Sequence, residues 1–506
     1  MHRANTVQRS EAGVLGAFVL TCASVVAASL GIVGCGTATP SVSMEGGSTG
    51  AASSATSGAA LSSSSSSGQL TTGGSVTTVA VDDTGTAASD SSDGGPSSST
   101  TQGPPVRPRY LLGFDVAAIT PSESDLTGSI FMGSYGLPFT RPAEGVHDDL
   151  NVRSFAIQLG EDGIILAVTD LPGMGNRFTR DVRARVAAAT GLPTWRVLIA
   201  TTHTHAAPDF QGLWGGGPAS YRDSAIDEVV ASMNRAWAVR DYGDLAVATT
   251  SAPNNNRRDW DITDDELTLL VATDAVGDPL GILTVFAAHP TVLGADNNEI
   301  SRDWCGYAVD ALEAELGVPA LLFNGILGDA SPAVPPGDYA DDFERAQAYG
   351  ELIAGIAIDA VADVEPVEPA MVADHREWTI VVYNALFDLA STAGIIDYDF
   401  EMVNGNKAVE TLSTYVRLGH QLQIVSFPGE PVTRNGLDIK DAMVTPHRMV
   451  LGQTGDALGY FIPSDEWMTG HNDNYEESIS VGSGAGDTAR DVLVAMIALD
   501  AAAAAR

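Results

Sequence analysis

Residues 37–106 offer a folded core almost nothing. They are Ser, Thr, Gly and Ala with a few Asp, and 62–67 is an unbroken run of serines. Such a stretch cannot bury enough apolar surface to offset the entropy of ordering it. Whatever this chain folds into must therefore be built from other residues. Read as a flexible tether, the stretch has a root-mean-square reach of about 45–50 Å. Before it, Arg3 and Arg9 precede an uncharged run of apolar and small residues at 13–33, the pattern of a secretory signal. That run ends in Ile32-Val33-Gly34-Cys35, which fits cleavage before Cys35 and lipidation of its thiol. Several acyl chains there would give stable membrane anchoring where one chain is marginal. The expected organisation is a signal peptide at 1–34, a tether at 35–107 carrying lipidated Cys35, and a globular domain at 108–506. Gly36 carries no acidic retention signal, so the expected destination is a Gram-negative outer membrane, on its periplasmic or cell-surface face.

From Pro108 onward, about 400 residues can bury a large core. Cys22 would leave with the signal and Cys35 would be acylated, so Cys305 has no partner for an intramolecular disulfide. The net charge of −38 is spread along the chain. It argues against a nucleic-acid partner, whose phosphates need a basic surface, and it speaks for solubility rather than for a protein partner. Apolar periodicity predicts a hairpin from 154–159 and 163–168, helices at 178–190, 221–239, 304–316, 341–361 and 488–504, and strands at 195–201, 267–273, 280–288 and 320–323. One further strand is expected within 415–427. The alternation of strand and helix points to an α/β architecture.

Chemistry-bearing residues gather at the expected strand ends. Thr202-His203-Thr204-His205 follows the strand at 195–201. In extended chain, residues i and i+2 point the same way, so His203 and His205 should face one side, where α/β proteins bind ligands. Imidazole suits zinc; a hydrogen-bonded histidine pair is the alternative. His289-Pro290-Thr291 closes an apolar run, and its histidine either enters a site or is structural. Gly328 and Ser331 lie in 324–332, where Ser331 before Pro332 is biased toward extended backbone that displays its hydroxyl; a plain turn is the alternative. Phe427-Pro428-Gly429-Glu430-Pro431 presents a carboxylate that either ligates a metal or is solvated. Gly459-Tyr460 and Asn474-Tyr475-Glu476 place tyrosines near turns, where packing is their usual role.

In order along the chain, His203-Thr204-His205, Asn256-Arg257, His289-Pro290-Thr291, Gly328-Asp329-Ala330-Ser331-Pro332, Pro428-Gly429-Glu430 and Gly459-Tyr460 resemble the motifs of the neutral/alkaline non-lysosomal ceramidase family. The resemblance covers about residues 111–481, beginning at Gly113-Phe114-Asp115-Val116 and including Gly145-Val146-His147 and Ser301-Arg302-Asp303. It implies an α/β fold, a single large catalytic domain with a mixed β-sheet and flanking helices. It implies a Zn2+ site formed by His203, His289, Glu430 and Tyr460. His205 would lie near the scissile amide, Arg257 would bind or polarise the substrate's polar head, and Tyr475 would line the site. Ser331 would act as nucleophile or substrate anchor. The implied reaction is hydrolysis of the amide of ceramide or a related N-acyl lipid by a metal-activated water, with His205 protonating the leaving amine.

The resemblance is interrupted in places. The family's first motif usually continues His-Ser-Gly-Pro-Gly-Gly, whereas here His205 is followed by Ala206-Ala207-Pro208-Asp209-Phe210, which adds a charge beside the metal. After Glu430 the family usually has Thr and then Gly-Arg; here stand Pro431-Val432-Thr433-Arg434-Asn435-Gly436. The separation of Tyr460 and Tyr475 exceeds the family's, and the family's C-terminal immunoglobulin-like domain is not expected. These departures leave the metal set intact and bear on the substrate. The alternatives are a zinc hydrolase of another small amide or ester, and a lipid-binding surface protein without turnover.

Overall fold

A computed structural model describes residues 108–504, except 128–129, 136–139 and 397. The apolar run at 13–33, Cys35 and the serine-rich stretch lie outside the described residues.

The hairpin expected near residue 160 sets the pattern for the whole domain. Strand β1 (Tyr110–Ala118) pairs antiparallel with β2 (Asn151–Leu159), which turns into β3 (Asp162–Thr169). The turn is Gly160-Glu161, with Gly160 at φ 61°, a conformation that the first position of a two-residue hairpin turn demands. Along β3, Ile164, Leu166 and Val168 join one buried cluster while Ile165 and Ala167 join another. Both faces are covered, which is why the strand reads as an unbroken apolar run. Fully burying each such side chain contributes about 1.5–3 kcal/mol.

Helix α1 (Asn176–Thr190) leads to β4 (Val197–Thr201), which lies parallel to β3. Helix α2 (Ala219–Ala238) is followed by β5 (Asp241–Ser251), β6 (Glu266–Asp274) and β7 (Pro279–Phe286) in antiparallel succession. Helix α3 (Asp303–Leu316) leads to β8 (Ala320–Asn324), parallel to β7. Each parallel pair is thus joined through a helix, as same-direction strands require. After α4 (Asp342–Ala360), β9 (Glu365–Val367) pairs with β5. The large sheet has nine strands in the order β8-β7-β6-β5-β1-β2-β3-β4, with β9 beside β5.

A second sheet follows. Strand β10 (Met371–Val381) pairs with β12 (Asn406–Leu418), which also takes β11 (Glu401–Val403) and pairs with β13 (Leu422–Ser426). Beside β13 lies parallel β14 (His447–Leu451). The single strand expected within 415–427 is therefore two strands joined by a turn at 419–421. Periodicity runs through that turn without marking it. Val416, Leu418, Leu422, Ile424 and Met449 pack with Leu166, Leu198 and Leu283 between the sheets. On the far face, Tyr415, Val425 and Val450 pack under helices α5 (Ala385–Thr392), α6 (Thr433–Ala442) and α7 (Ala485–Ala504). Helices α1 to α4 cover the other face of the large sheet. The described residues form a mixed α/β domain of four layers: helices, sheet, sheet, helices.

Strands β1, β5 and β10 carry no expectation from periodicity. Each mixes charged and apolar residues, as in YLLGFDVAA and MVADHREWTIV, so no alternation marks one buried face.

The candidate metal centre

The large sheet has β4 and β8 at opposite ends of its strand order, yet their C-terminal ends meet. Asn324, the last residue of β8 and fully buried, donates from Nδ2 to the Thr202 carbonyl at 2.8 Å. Its Oδ1 accepts from the Ala288 N–H at 3.2 Å, and its own carbonyl accepts from Gly452 at 2.9 Å. One amide thus fixes the residues immediately before His203 and before His289, and a backbone bond adds the end of β14. The ends of β4 and β8 in the large sheet and of β13 and β14 in the second sheet thus gather around one point. This is the carboxyl-end position at which α/β sheets carry their sites.

His203, His205 and His289 converge there. Their candidate ligand nitrogens all lie within 4.8 Å of one another. All three rings are buried, as are Glu430 and Tyr460. The convergence of His203 and His205 does not come from extended chain, as their spacing suggests. Strand β4 ends at Thr201, and His203 has φ 66°, in the left-handed region. A non-glycine residue held there carries strain of about 1–3 kcal/mol and is typical of functional sites. The turn brings His205 Nε2 to 3.2 Å from His203 Nε2.

Glu430 and Tyr460 sit side by side for a simpler reason. The short strands Glu430–Pro431 and Tyr460–Phe461 are parallel, with Glu430 directly opposite Tyr460, so both side chains leave the same face. Glu430 Oε2 lies 3.0 Å from His289 Nε2, and Oε1 lies 3.6 Å from His203 Nε2. Gly328 is obligatory behind them. A Cβ on it would stand 2.7 Å from the Pro431 carbonyl and 2.8 Å from that of Glu430.

The donor set fits a cation. His203 Nδ1 bonds the Pro172 carbonyl, and His289 Nδ1 bonds the Ala330 carbonyl at 3.1 Å. A carbonyl partner assigns the ring proton to Nδ1 and leaves Nε2 as a lone pair. Two such lone pairs then face the two oxygens of a carboxylate, which is also acceptor-only when ionised. Burial pushes the Glu430 carboxyl up, but His203 and His289 outweigh it and hold the group well below the usual carboxylate range. Burial, with Arg257 adding to it, lowers the His289 imidazole to about 4. Burial and the two neighbouring histidines also hold His205 well below its ordinary value. Imidazole nitrogens gathered with a carboxylate in a dry site are a donor set of the kind that binds a divalent cation. Tyr460 is a phenol whose titration burial drives well above 10. By geometry His205 is as close to the group as the other histidines; its Nδ1 is buried without a partner.

A cavity opens above these groups, lined by His203, His205, Glu430, Tyr460, Tyr475 and Gln453 among others. Tyr475 stands at its mouth, its ring 6.1 Å from that of Tyr460. The Arg257 guanidinium lies 5.2 Å from the centre of the Tyr460 ring, donates to Glu476 at 2.9 Å and to the Gly328 carbonyl at 2.7 Å. Its charge is reinforced by Tyr460 and Glu476 against the effect of burial. Arg257 and Ser331 are not among the residues lining this cavity. Ser331 pairs with Asn255, and its hydroxyl donates to the Asn255 carbonyl at 3.4 Å. Its neighbour Ala330 supplies the carbonyl that orients His289.

Asp209, the charge that departs from the family motif, does not enter the cavity. It is buried and accepts four backbone N–H groups, from Gln211, Gly212, Trp214 and Gly216, at 2.8–3.0 Å. It folds the loop that brings Gln211, Leu213 and Trp214 into the cavity wall.

Several contributors carry no recognisable local signal. Asn324, Gln453 and Tyr135, whose ring meets His205 edge-on at 4.7 Å, are ordinary in sequence. Arg258 has a faint one. The doublet Arg257-Arg258 faces the doublet Glu476-Glu477 across more than two hundred residues, a pairing legible only once the fold joins them.

Behind the cavity wall, Asp456 precedes the lining residue Ala457 and lies in a second, polar cavity with Arg183. Burial raises its carboxyl to about 6, against an accepted bond from Thr411. The unfolded value is near 3.9. Between these values the folded protein holds a proton that the unfolded chain has lost. Asp456 therefore stabilises the fold below about pH 4, and that contribution is lost as pH rises through 6. Its span is at most about 3 kcal/mol at 1.4 kcal/mol per unit. Asp456→Asn should flatten the slope of denaturant-derived stability between pH 4 and 7; an unchanged slope would refute the assignment.

A family model described as neutral/alkaline non-lysosomal ceramidase, N-terminal, matches residues 110–376. The neutral ceramidase of Mycobacterium tuberculosis is 26% identical over 281 residues, 46% of this chain and 43% of that protein. The chain thus spans less than half the length of that relative. The crystal structure of neutral ceramidase from Pseudomonas aeruginosa superposes with a TM-score of 0.66 at 20% identity, covering 78% of this chain and 74% of that one. A ceramidase complexed with C2 superposes at 0.64, also at 20% identity, over 77% and 75%. At that identity the superpositions speak for the fold.

Proposed function

Because the chain belongs to the neutral/alkaline non-lysosomal ceramidase family, we propose that it hydrolyses the amide bond of ceramide or a related N-acyl lipid, with zinc held by His203, His289, Glu430 and Tyr460. The observation that carries this reading is the meeting of two Nε2 lone pairs with the Glu430 carboxylate at the floor of a cavity. When bound, zinc supplies Lewis acidity and lowers the pKa of a water it holds.

The chain's own residues do the rest. Carbonyls of Pro172 and Ala330 hold His203 and His289 in one tautomer, and such partners of ligand histidines are worth about 10–100-fold in affinity or activity. His205 is the histidine whose ring is not tied to a carbonyl and whose Nδ1 has no partner, so it could direct a ring N–H toward the amide oxygen, or take a proton from the attacking water and pass it to the departing nitrogen. An amine leaves only when protonated, so a group in this position is required. Arg257, fixed by Glu476 and the Gly328 carbonyl, presents a permanent charge beside Tyr460 for the polar head. Tyr475 and Trp214 give the cavity mouth aromatic walls suited to an alkyl chain. Ser331, outside the cavity with its hydroxyl donated to a backbone carbonyl, is not set as a nucleophile, and an anchoring role would reach only a part of the substrate that extends beyond the cavity. The lipid anchor at Cys35, the tether at 35–107 and an outer-membrane location belong to the same reading. They would keep the cavity near a lipid surface.

The test is metal analysis of the purified protein by mass spectrometry, alongside turnover of a fluorescent long-chain ceramide and a short N-acyl amide. The expected result is about one zinc per chain and cleavage of the ceramide. Zinc with turnover of the short amide alone would discard the lipid substrate and keep the chemistry. No zinc after incubation with excess metal would sink the reading.

A further inference from the structure

Gln453 stands in the wall of the reaction cavity with an amide oxygen that the protein does not use. It follows β14 and Gly452, and its backbone is pinned on both sides. Its N–H donates to the Gly429 carbonyl at 2.8 Å, and its carbonyl accepts from Thr201 at 3.2 Å. It therefore ties the turn carrying Glu430 to the strand end leading to His203. Its φ is 49°, in the left-handed region, where a side chain with a Cβ is strained. The residue is 3% exposed, and its Oε1 is buried without a hydrogen-bond partner. Buried amide oxygens are nearly always paired. One that is not, on a strained backbone, beside His203, His205, Glu430 and Tyr460, is an acceptor set in place for something that enters the cavity.

We infer that Gln453 is a specificity-determining residue, whose Oε1 accepts a hydrogen bond from a donor on the amine side of the substrate. The inference rests on the amide-hydrolase reading above. Two donors share the required chemistry: the N–H of a secondary amide, and a hydroxyl on the amine beside it. Tertiary amides and amines without a hydroxyl then meet an unpaired buried oxygen, the situation in which sites discriminate most strongly.

The experiment measures kcat/KM of the full-length protein on three probes: a fluorescent long-chain N-acyl amino alcohol, its N-methylated analogue, and its analogue with hydrogen in place of the hydroxyl. Native protein should lose at least about tenfold on one analogue, and which one identifies the donor. Gln453→Leu, with zinc content unchanged, should lose activity on the parent compound and treat it and that analogue within about twofold of each other. The melting temperature of Gln453→Leu should rise, on the order of 1–2 °C, because a buried unpaired group has been removed. Gln453→Met, unbranched like glutamine, repeats the measurements should leucine not pack. Equal use of all three probes by the native protein, or discrimination kept in the variants, would overturn the inference. If the native protein cleaves none of the probes, the amide-hydrolase reading fails instead. The melting temperatures then decide for Gln453, a fall marking a structural role and overturning the inference.

Discussion

Glu430→Gln is expected to leave the protein folded, strip its metal on dialysis, and lower kcat/KM by at least about 10³-fold, the amount a single positioned electrostatic group commonly supplies. Glu430 is the one carboxylate among the proposed ligands. Its two oxygens face His289 Nε2 and His203 Nε2 at 3.0 and 3.6 Å, and the two histidines hold it ionised against the effect of burial. An amide keeps the shape and removes the charge that a divalent cation needs among neutral imidazoles. It also brings an N–H to one of the two histidine lone pairs, so the apo site gains a hydrogen bond and competes with the metal. Metal content by mass spectrometry, turnover and thermal melting on one preparation check this. Retained metal with near-native kcat/KM would remove Glu430 from the ligand set. His205 would then have to take its place, which the mutual proximity of the three histidines allows.

Arg258→Ala should produce a large loss of stability away from the candidate metal centre. Arg258 is fully buried and binds Glu476 at 2.9 Å and Glu477 at 3.0 Å, carboxylates that are themselves 0% and 1% exposed. Its guanidinium also lies 5.0 Å over the Trp260 ring. Removing one partner of a buried ion pair leaves an uncompensated charge and costs about 3–5 kcal/mol. Here two carboxylates are left, only one of which retains a second cation, Arg257. The loss should appear as a lower denaturation midpoint and as a rise in KM, because Tyr475 adjoins Glu476 and the mouth of the cavity rests on this pair. The double variant Arg258→Met, Glu477→Gln, which keeps Glu476 for Arg257, should recover most of the stability, since a buried pair replaced as a whole by uncharged packing is near neutral. A single variant as stable as the native protein would show that the two glutamates find solvent or protons without Arg258.

How much of this could be read from the chain alone differs from layer to layer. The helices at 176–190, 219–238, 303–316, 342–360 and 485–504 stand within a few residues of where apolar periodicity puts them, because a helix face is a local pattern. The hairpin around Gly160 is equally local. The candidate ligands follow strand ends that an apolar run and a turn announce, and four residues near 203, 289, 430 and 460 do meet. Their order along the chain suggested a shared site only through resemblance; nothing in their spacing measures a distance.

The sequence by itself marked the long helices and several buried strands to within a few residues, and it marked which side chains carry chemistry. The tertiary structure decided the strand order, mostly antiparallel in the middle and parallel at the edges, and the four-layer stacking of two sheets that hides both faces of β3. It decided that His203 reaches its neighbours through a left-handed turn and not along a strand. It gave Asn324, Asp209, Arg258 and Gln453 their roles, and it set Ser331 on a backbone carbonyl outside the cavity. The physical reason is range. Propensity and periodicity act over a few residues, whereas Asn324 binds a carbonyl 122 positions away and Arg258 a carboxylate 218 positions away. Such partners exist only after strands distant in sequence have paired, and only then does a buried amide or guanidinium acquire a function.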